Sequence, residues 1–365
     1  MRPLALGALD VRGFRNLNRV EIELGEGFNV FSGQNGQGKT SLLEAVYVLA
    51  TSRSFRTGKL TELISLQGET ASVRGVLHDG GSTREQSVGL RRGLRSVRVD
   101  AKRPPTLAAY ALHSPIVVFH PGALALSMGS GNERRRLLDR IAMHFSPASW
   151  VEAESYSKAH RARQRVLELR GEHSPELSDW EELMARHGGA LREARAAAAE
   201  RLAVAGAEAF ARIGPGTSLL LRYQAGSPSS PSAFRAELAR LRGRDRARGS
   251  ASVGPHRDDL ATELGGRPVR GIASQGQHRA VVLALELAEM DVIASVRGVR
   301  PILLLDDVSS ELDRERATSL FAALGDLRGQ VLVTTTRPDI LDIGAGGRAA
   351  PRRDFDVSGG AVVPA

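Results

Sequence analysis

Cysteine is absent from the 365-residue chain. That excludes disulfides, thiolate metal sites, iron–sulfur clusters and a cysteine nucleophile, and it suits a reducing cytosol. No run of eighteen apolar residues occurs, so no membrane span is expected. Met1–Leu9 has one charge and a short apolar run cut off by Asp10. It lacks the h-region and cleavage site of a secretory signal, and a cytoplasmic address is expected. Lysine is scarce: the 50 basic residues include only Lys39, Lys59, Lys102 and Lys158. A lysine inside a motif therefore stands out. What is abundant is arginine, and the net charge is +9. Such a balance fits a polyanionic partner such as nucleic acid, or a solvated cationic surface. With 42% hydrophobic and 25% charged residues, the chain is neither collagen-like, wholly disordered nor a bare coiled coil. Its length suits two or three domains.

Val20–Leu24 alternates apolar and polar residues, the period of a half-buried strand. Phe28–Phe31 reads as a second strand, the glycine-rich stretch 33–38 follows, and Leu42–Leu49 reads as a buried helix. Short strands at Ser72–Leu77, Gln86–Leu90 and Val97–Val99 suggest a β layer. Residues 132–213 are rich in Ala, Leu, Arg and Glu. Ser146–Pro147 marks the start of a helix reaching Arg170, and Ser178 with Glu181 reads as a capping box opening another to Ile213. Together they suggest an antiparallel helical arm. From about residue 250 an α/β pattern returns, with a helix over Ala280–Val296, a buried strand over Pro301–Leu305 and a strand over Val331–Thr335. The last fifteen residues read as a frayed tail.

Gly33–Gln34–Asn35–Gly36–Gln37–Gly38–Lys39–Thr40 fits G-x-x-x-x-G-K-[ST]. Glycines let backbone N–H groups close around phosphate oxygens, the lysine reaches the β- and γ-phosphates, and the threonine hydroxyl binds Mg²⁺. The following helix aims its positive end at the phosphates. ATP and Mg²⁺ are the expected cofactors. Pro301–Leu305 runs into Asp306–Asp307, which suits a buried parallel strand ending where α/β ligands bind. Asp306 is expected in the Mg²⁺ shell, and Asp307 is expected to orient or deprotonate the attacking water. Ser274–Gln275–Gly276–Gln277 opens the long apolar helix and forms a second anion site. One nucleotide does not need two such sites, whereas a head-to-tail dimer does: the P-loop of one copy and Ser274, Gly276 and Gln277 of the other sandwich the γ-phosphate. Ser309–Asp313 would cross that interface. The expected fold is α/β: a P-loop ABC-type ATPase head with a β layer, plus an inserted mainly α-helical second lobe. The division is 1–125 (P-loop and β layer), 126–249 (helical arm) and 250–365 (serine segment, acidic strand and D-loop).

These pieces, with Phe14–Arg15–Asn16, Ser54–Phe55–Arg56–Thr57, Phe119–Pro121, Arg134–Asp139 and Ser252–Asp259, make the chain resemble the RecF family of bacterial DNA repair ATPases, relatives of the SMC ATPases. The resemblance implies ATP-dependent homodimerisation, DNA binding, and slow, DNA-stimulated hydrolysis. It also implies cooperation with RecR and RecO in loading RecA at single-strand gaps, and a part in SOS induction. Two features depart from transporter-type ABC ATPases. The second acid is Asp307 instead of glutamate, and the switch-histidine slot holds Thr336; both suggest slow turnover. His120 lies near the Q-loop position by analogy. The rival readings are a transporter ATPase subunit, which would want the histidine and a shorter separation than the 267 residues between Lys39 and Asp306, and a non-hydrolytic ATP-bound clamp. His256–Asp258 suggests a metal site, or a structural run near the nucleotide. The basic stretches Arg84–Arg103 and Arg240–Arg248 are DNA-contacting or solvated, and Arg134–Arg136 meets an anionic partner or makes ion pairs.

Overall fold

The computed structural model describes residues 2–213, 216–307, 329–338 and 351–365. In chain order it begins with the long strand β1 (Arg2–Phe14), then β2 (Leu17–Glu23) and β3 (Phe28–Ser32). Helix α1 (Lys39–Thr51) follows, then the strands β4 (Thr70–Asp79), β5 (Ser82–Arg91) and β6 (Leu94–Val99). Helix α2 (Leu107–Ala111) and strand β7 (Ile116–Phe119) close this part. The expected strands are present and longer than the sequence pattern marks. The sequence reading assigned no strand to β1, whose polar and small residues blur the alternation.

Next come α3 (Ala125–Met128), α4 (Gly131–Phe145), α5 (Ala148–Arg170) and the 38-residue α6 (Glu176–Ile213). Strand β8 (Leu219–Gln224), α7 (Pro231–Arg240), α8 (Arg242–Arg248), β9 (Asp259–Leu264) and β10 (Arg267–Pro268) follow. Ser178 lies inside α6 and caps nothing. Its hydroxyl accepts from Arg235, and Glu181 is a buried ion-pair partner of Arg163 and Arg242.

The last part holds α9 (Gln275–Arg297), β11 (Val299–Arg300), β12 (Ile302–Leu305), β13 (Val331–Thr335), β14 (Arg352–Ser358) and β15 (Ala361–Pro364). The expectation of a frayed tail is corrected here: residues 352–364 form a hairpin. β14 pairs in parallel with β3, giving the sheet order β15-β14-β3-β13-β12-β7. The order explains why. Without β14, the P-loop strand β3 would expose an unpaired backbone edge and Phe31, whose ring stacks on Phe355 with centroids 5.0 Å apart. That stacking contributes about 0.5–1.5 kcal/mol beyond burial.

The chain divides into two compact units. The first draws its described residues from Met1–Leu124, Glu208–Gly216 and Gln275–Ala365, the second from Ala125–Ala207 and Thr217–Ser274. The second unit thus runs 25 residues past the expected limit of 249, to Ser274. The reason is β9, which pairs antiparallel with β8 and so ties residues after 250 to a small sheet of that unit. In the first unit the parallel sheet is joined by an antiparallel layer ordered β11-β1-β4-β5-β6, with β2 beside β1. The apolar faces of both sheets and α1 share one core, which includes the fully buried Leu6, Phe31, Leu42, Val88 and Leu304. β12 reads as a continuous apolar run and β13 as three apolar residues followed by two buried threonines, because parallel strands are covered on both faces. Within the second unit Arg163 is 1% exposed. It is held by Glu181 at 3.0 Å, Asp245 at 2.9 Å and the Leu238 carbonyl at 2.7 Å.

Candidate nucleotide-binding site

The site forms at the C-terminal edge of the parallel sheet, where β3 turns into α1. Gly38 precedes the helix at φ 114°, a conformation that favours glycine. Gly33 lies so close to β14 that a Cβ there would sit 2.2 Å from the Val357 carbonyl oxygen. The buried Lys39 turns its ammonium onto the loop, donating to the carbonyls of Gly33 at 2.5 Å and Gln34 at 2.8 Å. Burial lowers its pKa, opposed by the charges of Asp307 and Asp306.

Asp306 ends β12. Its Oδ1 accepts from the Thr40 hydroxyl at 2.9 Å and from the Thr334 hydroxyl at 2.8 Å. Its backbone N–H donates to Phe119 of β7. Burial raises the Asp306 pKa, and the two threonine hydroxyls work against that rise. The Asp307 N–H donates in turn to Thr334 Oγ1 at 2.9 Å, and Asp307 sits at φ 52°. Loop, helix and acidic strand, 267 residues apart in sequence from Lys39 to Asp306, therefore share one hydrogen-bonded cluster. Thr40 and Asp306 offer one hydroxyl and one carboxylate, hard oxygen donors of the kind that hold Mg²⁺ when waters and phosphate oxygens complete its shell.

The structure adds residues that the sequence reading passed over. Glu44 is fully buried on α1. It takes a bidentate pair from Arg15 at 2.9 and 2.8 Å, a bond from Arg56 at 3.2 Å and one from the Ser54 hydroxyl at 2.5 Å. It thereby ties two of the motifs quoted above to the helix behind the P-loop. A lone glutamate inside an apolar helical run was the signal available in the sequence. Thr334 had none, since nothing in Val331–Thr335 marks the position that meets Asp306. His120 follows β7, with its ring against Phe55 and its Nδ1 accepting from the Gly122 N–H.

Ser274 and Gln277 lie at the start of α9, with Gly276 between them. Thr336 directly follows β13. Ser309–Asp313 falls outside the described residues. His256 and Asp258 hold no metal cluster among the described residues; they brace the second unit. His256 Nδ1 bonds the Tyr156 hydroxyl at 2.7 Å, and Asp258 receives Arg195, Tyr223 and the Gly226 N–H. The Arg134 guanidinium pairs with Asp259, Arg135 donates to the Asp258 carbonyl and Arg136 pairs with Glu133. Two of the three arginines, Arg134 and Arg136, thus make ion pairs, and Arg135 is held by a backbone carbonyl. In Arg240–Arg248, Arg240 pairs with Glu237 and Arg242 with Glu181, so part of the run is structural.

A family model described as the RecF/RecN/SMC N terminal domain matches residues 5–345. The chain is 39% identical to the DNA replication and repair protein RecF of an Anaeromyxobacter species, over 99% of both chains. The chain belongs to the RecF family. RecF of Myxococcus xanthus is 37% identical over 98% of this chain and 97% of its own. A solved structure of the recombination mediator protein RecF-ATP in the RecFOR pathway superposes with a TM-score of 0.87 at 26% identity over the full length of both chains. An Smc head domain from Pyrococcus furiosus, at 18% identity and a TM-score of 0.57, shares the fold over 99% of this chain and 96% of its own. The α/β ABC-like head expected from the P-loop and the acidic strand is therefore the fold of this RecF-family chain.

Proposed function

We propose that this chain is an ATP-gated, DNA-binding dimerisation switch of cytoplasmic recombinational repair. It hydrolyses ATP slowly, with stimulation by DNA. It acts at single-strand gaps with RecR and RecO, ahead of RecA loading and SOS induction. The observation that carries this reading is the cluster of Lys39, Thr40, Asp306 and Thr334: the Lys39 ammonium lies on the loop carbonyls within the field of Asp306 and Asp307, and the Asp306 carboxylate accepts from both threonine hydroxyls. The amides of Gly33–Gly38 receive the phosphate oxygens, and Lys39 leaves the Gly33 and Gln34 carbonyls for the β- and γ-phosphates. Thr40 and Asp306 hold Mg²⁺, which neutralises phosphate charge when bound. Thr334 keeps Asp306 oriented, and Asp307 orients or deprotonates the attacking water. Ser274, Gly276 and Gln277 at the start of α9 meet the γ-phosphate carried by a second copy. The relatives named as DNA replication and repair proteins, and the RecF structure with ATP, support the reading.

The DNA face in this reading is the outer side of the antiparallel layer. Cross-strand register lines up Arg12, Ser72, Gly89 and Ser96 in one row of mostly small residues. The rows on either side present Arg74 and Arg98, and Arg91. A trough of about 720 Å³ follows this row, lined by Arg12, Thr70, Ser72, Arg91, Arg95 and Ser96 among others. That shape and charge suit a phosphate backbone read without regard to sequence. Arg95 lines the trough, but its guanidinium is engaged by the Ser52 carbonyl, so only part of the Arg84–Arg103 stretch is open to DNA in this reading.

Sedimentation of the full chain with and without ATP, and with and without gapped DNA, tests the proposal. A monomer that becomes a dimer only with ATP, and that dimerises more readily on DNA, is the expected result. A sedimentation coefficient that ignores ATP would overturn it.

A further inference from the structure

The outer side of the P-loop, away from α1, is gripped by two turns. One joins β14 to β15. Its Gly359 N–H donates to the Gln37 side-chain oxygen at 2.6 Å, and its Gly360 N–H donates to the Gln37 carbonyl at 3.0 Å. The other joins β1 to β2, where the Asn16 side-chain amide donates to the Gly36 carbonyl at 3.3 Å. The two turns also touch each other: a Cβ on Gly360 would lie 2.2 Å from the Asn16 carbonyl oxygen. Below the grip, the Ser32 hydroxyl donates to Asp356 at 3.0 Å, and the Val357 carbonyl crowds Gly33. The bonds from the two turns all go to the loop's own backbone or to a side chain turned out of it.

We infer that the β14–β15 turn, with Asn16, is a positioning clamp that fixes the P-loop before nucleotide arrives, so that residues 359–360 set ATP affinity from outside the site. The inference rests on the ATP reading above. A phosphate cradle works through several N–H groups aimed at one point, and a free glycine-rich loop loses conformational entropy when it closes on a ligand. The clamp removes that loss in advance, because the Gln37 side-chain oxygen and the Gln37 and Gly36 carbonyls are held by groups outside the Gly33–Thr40 loop. Preorganisation of this kind raises affinity while adding nothing that touches the ligand.

The two glycines of the turn form a matched pair for testing it. Gly359 sits at φ 56° with open space where a Cβ would go, and Gly360 sits at φ 79° with the Asn16 carbonyl in the way. Gly359→Ala and Gly360→Ala both place alanine in the left-handed region of one turn. Only the second pushes the Asn16 turn off the P-loop. The first readout is amide hydrogen exchange over residues 33–40 in nucleotide-free full-length protein. The second is the ATP dissociation constant by calorimetry. The expected result is faster exchange in Gly360→Ala alone, with ATP affinity down about 10- to 100-fold, the scale of ordering one or two backbone residues on binding. Gly359→Ala then exchanges and binds as the unaltered chain does, with a similar fall in melting temperature. Equal exchange in the two variants overturns the clamp. If the unaltered chain fails to bind ATP, the functional proposal falls while the exchange comparison still decides the clamp. Should Gly360→Ala not fold, Gln37→Leu removes the acceptor for Gly359 and leaves the turn glycines in place. Unchanged exchange in that variant overturns the clamp equally.

Discussion

Asp307 sits at φ 52°, a left-handed backbone that asparagine and aspartate tolerate better than other side chains. Its N–H bond to Thr334 is a backbone bond and does not depend on the carboxylate. Asp307→Asn therefore keeps the turn, keeps Asp306 between Thr40 and Thr334, and removes only the charge that would attract a water proton. The expected outcome is ATP binding close to that of the unaltered chain, hydrolysis slowed by about 10²–10⁴-fold, and accumulation of an ATP-bound dimer. Single-turnover hydrolysis beside an ATP-binding titration checks it, and unchanged turnover would move the catalytic role to another residue. Glu44 illustrates the opposite case. Arg15, Arg56 and Ser54 all end on it, and its work is to fix loops relative to α1.

Among elements, α5, α6 and α8 are joined by charge as well as by apolar packing. Arg163 on α5 is enclosed by Glu181 of α6 and Asp245 of α8, and Arg242 of α8 completes the set by pairing with Glu181 at 2.6 Å. Asp245 also accepts from the Ser252 N–H at 2.8 Å. Buried charges persist only when paired, and removing one partner leaves the others uncompensated. Arg163→Met should destabilise the chain by about 3–5 kcal/mol, read as a lowered thermal unfolding temperature. Arg161→Met, on the exposed face of the same helix, should stay within about 0.5 kcal/mol. Equal effects of the two would mean that the network contributes nothing beyond ordinary surface pairing.

At the scale of the whole molecule, the proposed dimer contact and the proposed DNA face are assigned to different elements, the start of α9 and the antiparallel layer. Ser274 lies at the start of α9, far along the chain from the P-loop. Ser274→Arg is expected to leave ATP binding by monomers nearly intact and to block the ATP-driven dimer, because the bulky cation meets the partner's nucleotide. Sedimentation paired with an ATP titration checks both halves. Loss of monomer binding would place the serine in its own copy's site and would remove the head-to-tail dimer. For DNA, replacing the outward-facing Arg74, Arg91 and Arg98 by glutamine should lower the slope of log affinity against log salt by about 2–3, near 0.9 for each phosphate that is no longer neutralised. A slope that does not move would mean that the outer side of the antiparallel layer is merely solvated.

The local chemistry of the site was legible in the chain itself. Gly33–Thr40 fits the phosphate-binding pattern by residue type and spacing, and four apolar residues running into Asp306–Asp307 mark a buried parallel strand end. The helices of the arm and the strands of the β layer were visible for the same reason, since hydrophobic periodicity is a property of neighbours in sequence. What required the tertiary structure was every pairing across long separations. Thr334 became part of the site because β13 lies beside β12. Residues 250–274 joined the helical unit because β9 found β8. Residues 352–364, which read as a loose tail, became the neighbour of β3 because an open edge beside the P-loop takes up whichever strand completes its hydrogen bonds. Periodicity records which face of a segment is buried, and only the folded chain decides what covers it.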